Sequence, residues 1–87
     1  EHTPDLLSDK YSRVLKDAVI SMNVGQNIVV VKTIPGMAMA AAAALDAMKW
    51  PEILGCIAGD DTIMCAVRTV NDTLLVMNKI KKLIKNN

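Results

Sequence analysis

Aromatic side chains are almost missing from this chain, which has one Trp, one Tyr and no Phe. Its apolar mass must therefore be aliphatic. A surplus of one charge sign is missing too. With a net charge of +1, there is no electrostatic basis for nucleic-acid binding, which needs many lysines and arginines on one face. No apolar run approaches the length that crosses a bilayer, and no signal peptide opens the chain, so a cytoplasmic protein with no membrane partner is expected. The two cysteines, Cys56 and Cys65, lack CxxC spacing and lie inside apolar, strand-like runs. Reduced core thiols are the first expectation, with a disulfide or metal site the lesser alternative. The single histidine, His2, stands at a polar start that resembles the cut end of a longer protein.

What is present is small and greasy. The chain has 87 residues, 52% of them Ala, Val, Ile, Leu, Met and their like, and is expected to form one domain over residues 1–87. Such side chains pack closely but cover more area than so small a globule can hide. Subunit contacts are where small domains put that surplus, so oligomerisation is expected.

The order of elements follows from periodicity. Thr3-Pro4-Asp5 has the chemistry of an N-cap with proline in the first turn, and Leu7, Tyr11, Val14 and Leu15 predict a short helix over about residues 4–14. Ala18, Ile20, Met22 and Val24 then alternate with Val19, Ser21 and Asn23 as a half-buried strand. Gly25-Gln26-Asn27 turns it into Ile28–Val31, a β-branched run expected to be central and covered on both faces. Pro35-Gly36 opens residues 37–48, an alanine-rich helix without a polar face. A domain of this size can cover only one side of it, so the other side is expected to meet another subunit. Lys49-Trp50-Pro51 stops that helix. Residues 53–58 and 62–67 read as a second hairpin around Gly59-Asp60-Asp61. Asn71 or Asp72 is expected to cap a last helix with Leu74, Met77, Ile80 and Ile84 on one stripe. The expectation is an α+β two-layer sandwich: a four-stranded antiparallel sheet with two helices on one face (β-β-α-β-β-α), preceded by the short helix.

Chemistry concentrates at Asp60-Asp61. From residue types alone an ordinary hairpin turn is favoured, since Gly and Asp are common turn formers. A magnesium site would want further acids, which the neighbouring strands do not supply, and no metal is expected. Acid/base catalysis lacks a nearby His, Lys or Tyr, and the Ser and Cys residues have no activating base, so no catalytic residue is assigned and an enzyme is not expected. A guanidinium or ammonium ligand suits a carboxylate pair better, because its N–H fork matches carboxylate geometry. Asp46, the lone charge of the alanine-rich helix, could join such a site or pair with Lys49. Lys79, Lys81, Lys82 and Lys85 read as a solvated helix end in preference to a nucleic-acid or acidic-partner patch, and Met37, Met39, Met48 and Met64 as gap-filling core.

Val31-Lys32-Thr33-Ile34-Pro35-Gly36, the alanine-rich helix carrying Asp46, and Gly55-Cys56-Ile57-Ala58-Gly59-Asp60-Asp61-Thr62-Ile63 together resemble the C-terminal domain of the bacterial arginine repressors. The resemblance covers about Tyr11 to Leu83, and within the second run only Cys56 departs, where the family has Thr. It implies a hexamer of two stacked trimers with L-arginine as co-repressor where they meet. By the same resemblance Asp60 and Asp61 take the ligand's cationic groups, while Asp46, Ala58 and Thr62 contribute to the pocket. At Met39 the family usually has a glutamine that contacts the ligand, and a thioether cannot replace an amide's donor and acceptor. Operator DNA would be contacted through the family's N-terminal winged-helix domain, which these residues do not include. The alternative is a structural oligomerisation module that no longer senses arginine.

Overall fold

The computed structural model describes residues 3–85, with side chains from residue 9 onward. The elements are α1 (Thr3–Ala18), β1 (Val19–Gly25), β2 (Ile28–Thr33), α2 (Ala38–Met48), β3 (Ile53–Ala58), β4 (Thr62–Val67) and α3 (Val70–Lys85). The α+β sandwich and the β-β-α-β-β-α order are those expected, with one antiparallel sheet in the order β1-β2-β4-β3. The N-cap expected at Thr3-Pro4-Asp5, the side chain of Leu7 and the terminal His2 lie outside the described side chains. Helix α1 is longer than expected. It runs on to Ala18 because Leu15 and Ala18 continue its buried stripe, and it touches both α2 and α3.

One face of the sheet makes the core. Val29 and Val31 of β2 and Ile63, Cys65 and Val67 of β4 are fully buried against Leu15, Ala41, Leu45, Val76 and Ile80 of the helices. Burying an aliphatic side chain of this size stabilises by roughly 1.5–3 kcal/mol. The other face has no helix over it. Ile28 and Val30 are half-buried there, so β2 is central as expected but covered on one side only.

Strand β1 departs from simple alternation. Val19 pairs with Thr33 but Ser21 pairs with Lys32, so Ile20 is the extra residue of a bulge and is 64% exposed. The register then brings Met22 opposite Val31 and Val24 opposite Val29, but only Met22 packs against the core and Val24 is exposed.

Two helix details also correct the sequence reading. Helix α3 is capped by Thr69, whose Oγ1 accepts the Asp72 N–H at 3.2 Å, upstream of both Asn71 and Asp72. Its buried stripe is Thr73, Val76 and Ile80, flanked by Met77, Leu83 and Ile84, whereas Leu74 is exposed. At 3.6 residues per turn Leu74 stands about 100° round the helix from Thr73, which takes it off the inner face.

Candidate functional site

The sequence Ala58-Gly59-Asp60-Asp61-Thr62 forms the β3–β4 connection, and backbone hydrogen bonds fix it in place. Within the hairpin, the Gly59 N–H donates to the Thr62 carbonyl at 2.8 Å. Outside it, the Asp61 carbonyl accepts the Thr33 N–H at 2.8 Å, and the Asp60 carbonyl accepts N–H groups from Gly36 at 3.0 Å and Ala38 at 3.2 Å. The last bond caps α2, whose N-cap residue Met37 makes no side-chain cap. The Asp60-Asp61 turn is thus held by its backbone at the N-terminus of that helix. With their carbonyls turned into the fold, the Asp60 and Asp61 side chains are both exposed.

Thr62 links the pair to the sheet. Its hydroxyl donates to Asp61 Oδ1 at 3.0 Å and accepts from Lys32 Nζ at 3.0 Å. Lys32 lies directly opposite Thr62 in the β2–β4 register. Sequence reading missed Lys32 as a member of this site, and its signal is a lone charge in a run of valines. The antiparallel register carries it across from a strand thirty residues earlier, which residue types do not disclose.

Along α2, Ala38, Ala41, Ala42, Ala44 and Leu45 are buried, while Met39, Ala40, Ala43 and Asp46 face outward. The helix therefore covers one side of itself, as its lack of a polar face implied. Met39 is 73% exposed and Met64 52% exposed, so neither fills a gap in the core, whereas Met37 and Met48 are half-buried. Lys49 meets Asp46 through the backbone, its N–H donating to the Asp46 carbonyl at 3.3 Å, and no ion pair joins their side chains among the described residues.

Between α2 and the edge strand β3 runs a groove of about 280 Å³ lined by Met39, Ala42, Asp46, Cys56, Ile57 and Ala58. Met39, Asp46 and Ala58, three residues named from the sequence, are thus brought together. Asp60, Asp61 and Thr62 continue from Ala58 but do not line the groove. Asp46 stands eight residues into α2, about 12 Å along the axis from the end that Asp60 caps. The three acids are therefore two separate groups within one subunit. Among the described residues no cluster of three or more His, Cys, Asp or Glu is arranged to hold a metal ion. Nor is any described helix long and apolar enough to cross a membrane.

Two further features frame the site. Lys79 is not a solvated helix-end charge. Its Nζ lies 2.8 Å from Glu52 Oε1 and 5.3 Å from the centre of the Trp50 ring, and this bond holds the Glu52 carboxyl below the usual range. The contact ties α3 to the α2–β3 connection. The open face of the sheet carries a shallow apolar trough bordered by Ile28, Leu54, Ile57, Met64 and Ala66, with Ile57 77% exposed.

Comparison with known proteins follows the same residues. The family model described as "Arginine repressor, C-terminal domain" matches residues 15–82. The arginine repressor of Lachnospira eligens is 74% identical over 80 residues, spanning 92% of this chain and 53% of that protein. That of Lachnoclostridium phytofermentans is 62% identical over 81 residues, with 93% and 53% covered, and that of Bacillus pumilus 45% over 75 residues, with 86% and 50% covered. The chain spans about half the length of these curated relatives.

Proposed function

The chain belongs to the arginine repressor C-terminal domain family, and from that premise we propose that it is the effector-sensing and oligomerising part of an arginine-responsive transcriptional regulator. In this reading it assembles as two stacked trimers and binds L-arginine where they meet. Asp60 and Asp61 receive the cationic groups of the ligand, and Met39, Asp46, Ala58 and Thr62 complete the pocket. Operator DNA is left to a winged-helix domain of the parent protein.

One observation carries the reading. Asp46 stands about 12 Å along α2 from the end that the Asp60 carbonyl caps, the groove borders Asp46 and not the aspartate pair, and no cation pairs with Asp46 among the described residues. A single subunit therefore presents parts of a cation site and does not complete one. A neighbouring subunit supplies the rest, which links ligand charge to assembly. The bare outer side of α2 and the apolar trough on the sheet are surfaces that subunit contacts would cover. Ligand at a hundred times its dissociation constant stabilises the bound assembly by about 2.7 kcal/mol per site.

The test pairs native mass spectrometry with calorimetry. Arginine is expected to shift the population from trimer to hexamer, and a monomer with and without arginine would sink the proposal. Asp61→Asn removes charge-assisted hydrogen bonds of about 1.5–3 kcal/mol and should weaken arginine binding roughly ten- to a hundredfold, leaving the trimer intact. Unchanged affinity would overturn the carboxylate clamp.

Met39 favours a second reading, a structural oligomerisation module without arginine sensing. Its exposed thioether borders the groove, where it provides no amide donor or acceptor for a ligand. Titration with arginine, citrulline and lysine separates the two, because a sensor should prefer the cationic guanidinium and a module should bind none of them.

A further inference from the structure

Cys56 and Cys65 lie opposite each other across β3 and β4. Counted along the ladder from the hydrogen-bonded Gly59–Thr62 rung, the cysteines occupy a non-hydrogen-bonded rung. Cα atoms on such rungs are about 4.5 Å apart, within the span of a disulfide. Both residues are free thiols, and their Sγ atoms are 2.9 Å apart. A disulfide needs about 2.05 Å, so the sulfurs must close by about 0.9 Å.

The two thiols differ in access and in acidity. Cys65 is buried, whereas Cys56 is half-buried and borders the groove beside Met39, Asp46 and Ala58. The hydrogen bond between them holds the Cys56 thiol below the ordinary cysteine range and pushes Cys65 above it, and burial pushes Cys65 further. An accessible thiol that ionises more readily, backed by a second thiol within reach, has the arrangement of an attacking and a resolving cysteine.

We propose that Cys56 and Cys65 are a redox modification site, converted reversibly by a hydroperoxide or a low-molecular-weight disulfide into an intrachain disulfide that weakens ligand binding in the adjoining groove. With hydrogen peroxide, the Cys56 thiolate attacks one oxygen, the O–O bond breaks, and the departing hydroxide takes a proton to become water. Cys56 is then a sulfenic acid. The Cys65 sulfur gives up its proton and attacks the Cys56 sulfur, the S–O bond breaks, and a second water leaves. Two electrons pass from the thiols to the peroxide, and one S–S bond replaces two S–H bonds. With a small disulfide, two successive exchanges release two small thiols and give the same bridge, and excess thiol reductant reverses both routes.

Closing the bridge should be felt in the groove. β3 is an edge strand, hydrogen-bonded on one side only, so it takes up much of the sulfur movement. Ala58 and the Asp60-Asp61 turn are continuous with β3, while Met39 and Asp46 sit on α2. A displacement of several tenths of an ångström between these groups is enough to spoil a binding site. The coupling to a ligand rests on the arginine-binding reading, whereas the bridge itself does not.

The experiment uses the 87-residue chain, hydrogen peroxide and L-arginine. Peroxide should lower the intact mass by two hydrogens, abolish both free thiols and leave the chain single on a non-reducing gel, and dithiothreitol should reverse this. Cys65→Ser should stop at a Cys56 sulfenic acid that dimedone traps. Calorimetry should show arginine bound at least about threefold more weakly by the oxidised than by the reduced chain, and Cys56→Thr should abolish this sensitivity to peroxide. Two free thiols after peroxide, or a product linked only between chains, would overturn the bridge. A bridge that leaves arginine affinity unchanged would overturn the coupling. Failure of the reduced chain to bind arginine would overturn the arginine reading and the coupling with it, while the mass change still decides the bridge.

Discussion

Replacing Gly36 by alanine isolates a single backbone penalty next to the candidate site. Ile34-Pro35-Gly36-Met37 is a turn closed by the Met37 N–H on the Ile34 carbonyl at 3.2 Å, and Gly36 has φ +85°. This is the type II arrangement, with proline second and glycine third. A Cβ built at Gly36 meets no heavy atom within 4 Å, so alanine clashes with nothing beyond its own backbone. A left-handed residue bearing a Cβ costs about 1–2 kcal/mol, and the stiffer unfolded chain offsets about 0.4–1 kcal/mol of that. Gly36→Ala should therefore destabilise by about 0–1.6 kcal/mol. Urea unfolding at one fixed protein concentration measures it, since self-association stabilises by mass action. The midpoint should fall with an unchanged slope, and Gly36→Asn should recover part of the loss because Asn tolerates this region. A Gly36→Ala chain more stable than the native one would remove the left-handed penalty from the account. A loss above about 3 kcal/mol, the scale of core deletions, would demand a clash that the open space does not supply.

Thr69→Ala should cost about 1 kcal/mol by removing the cap on α3, and equal losses in Thr69→Ala and Asn71→Ala by urea unfolding would refute the assignment of the cap to Thr69. Glu52 is paired with Lys79 in the folded chain, so its lowered pKa adds stability that is fully present above its ordinary value of 4.5 and is lost as pH falls through the lowered value. The stability difference between the native chain and Glu52→Gln should accordingly shrink on acidification from neutral pH to pH 3, and a difference independent of pH would refute the pairing. Ile57→Glu sits on the open face of the sheet at 77% exposure, so it should leave the circular dichroism of the fold intact while reducing self-association in sedimentation velocity. An oligomer that survives this charge would place the subunit contacts elsewhere.

Much of the fold was legible because the two hairpins and α2 announce themselves locally. The bounds of β3 and β4 match the sequence reading residue for residue, since Gly59-Asp60-Asp61 separates two short apolar runs. Helix α2 was equally clear from its alanines. The errors lie where a long-range contact overrides a local pattern. Ile20 continues the alternation of β1 in sequence, but the bulge that inserts it depends on how β1 registers with β2. Lys79 has the composition of a solvated helix end, yet Glu52 and Trp50 arrive beneath it from another part of the chain. Leu74 fits a helical stripe in sequence, yet the face that packs on the sheet is centred on Thr73, Val76 and Ile80.

The candidate site divides in the same way. Sequence by itself determined its chemistry: the adjacent Asp60 and Asp61, a single acid on an apolar helix, and the motif by which the family is recognised. Charge and residue type are local properties, so they can be read without coordinates. Tertiary structure alone decided the geometry. It placed Asp46 at the far end of α2 from the aspartate pair, carried Lys32 to Thr62 across the sheet, and set Cys56 2.9 Å from Cys65. Each of these follows from strand register and helix placement, which are set by packing one face of a sheet against helices distant in the chain.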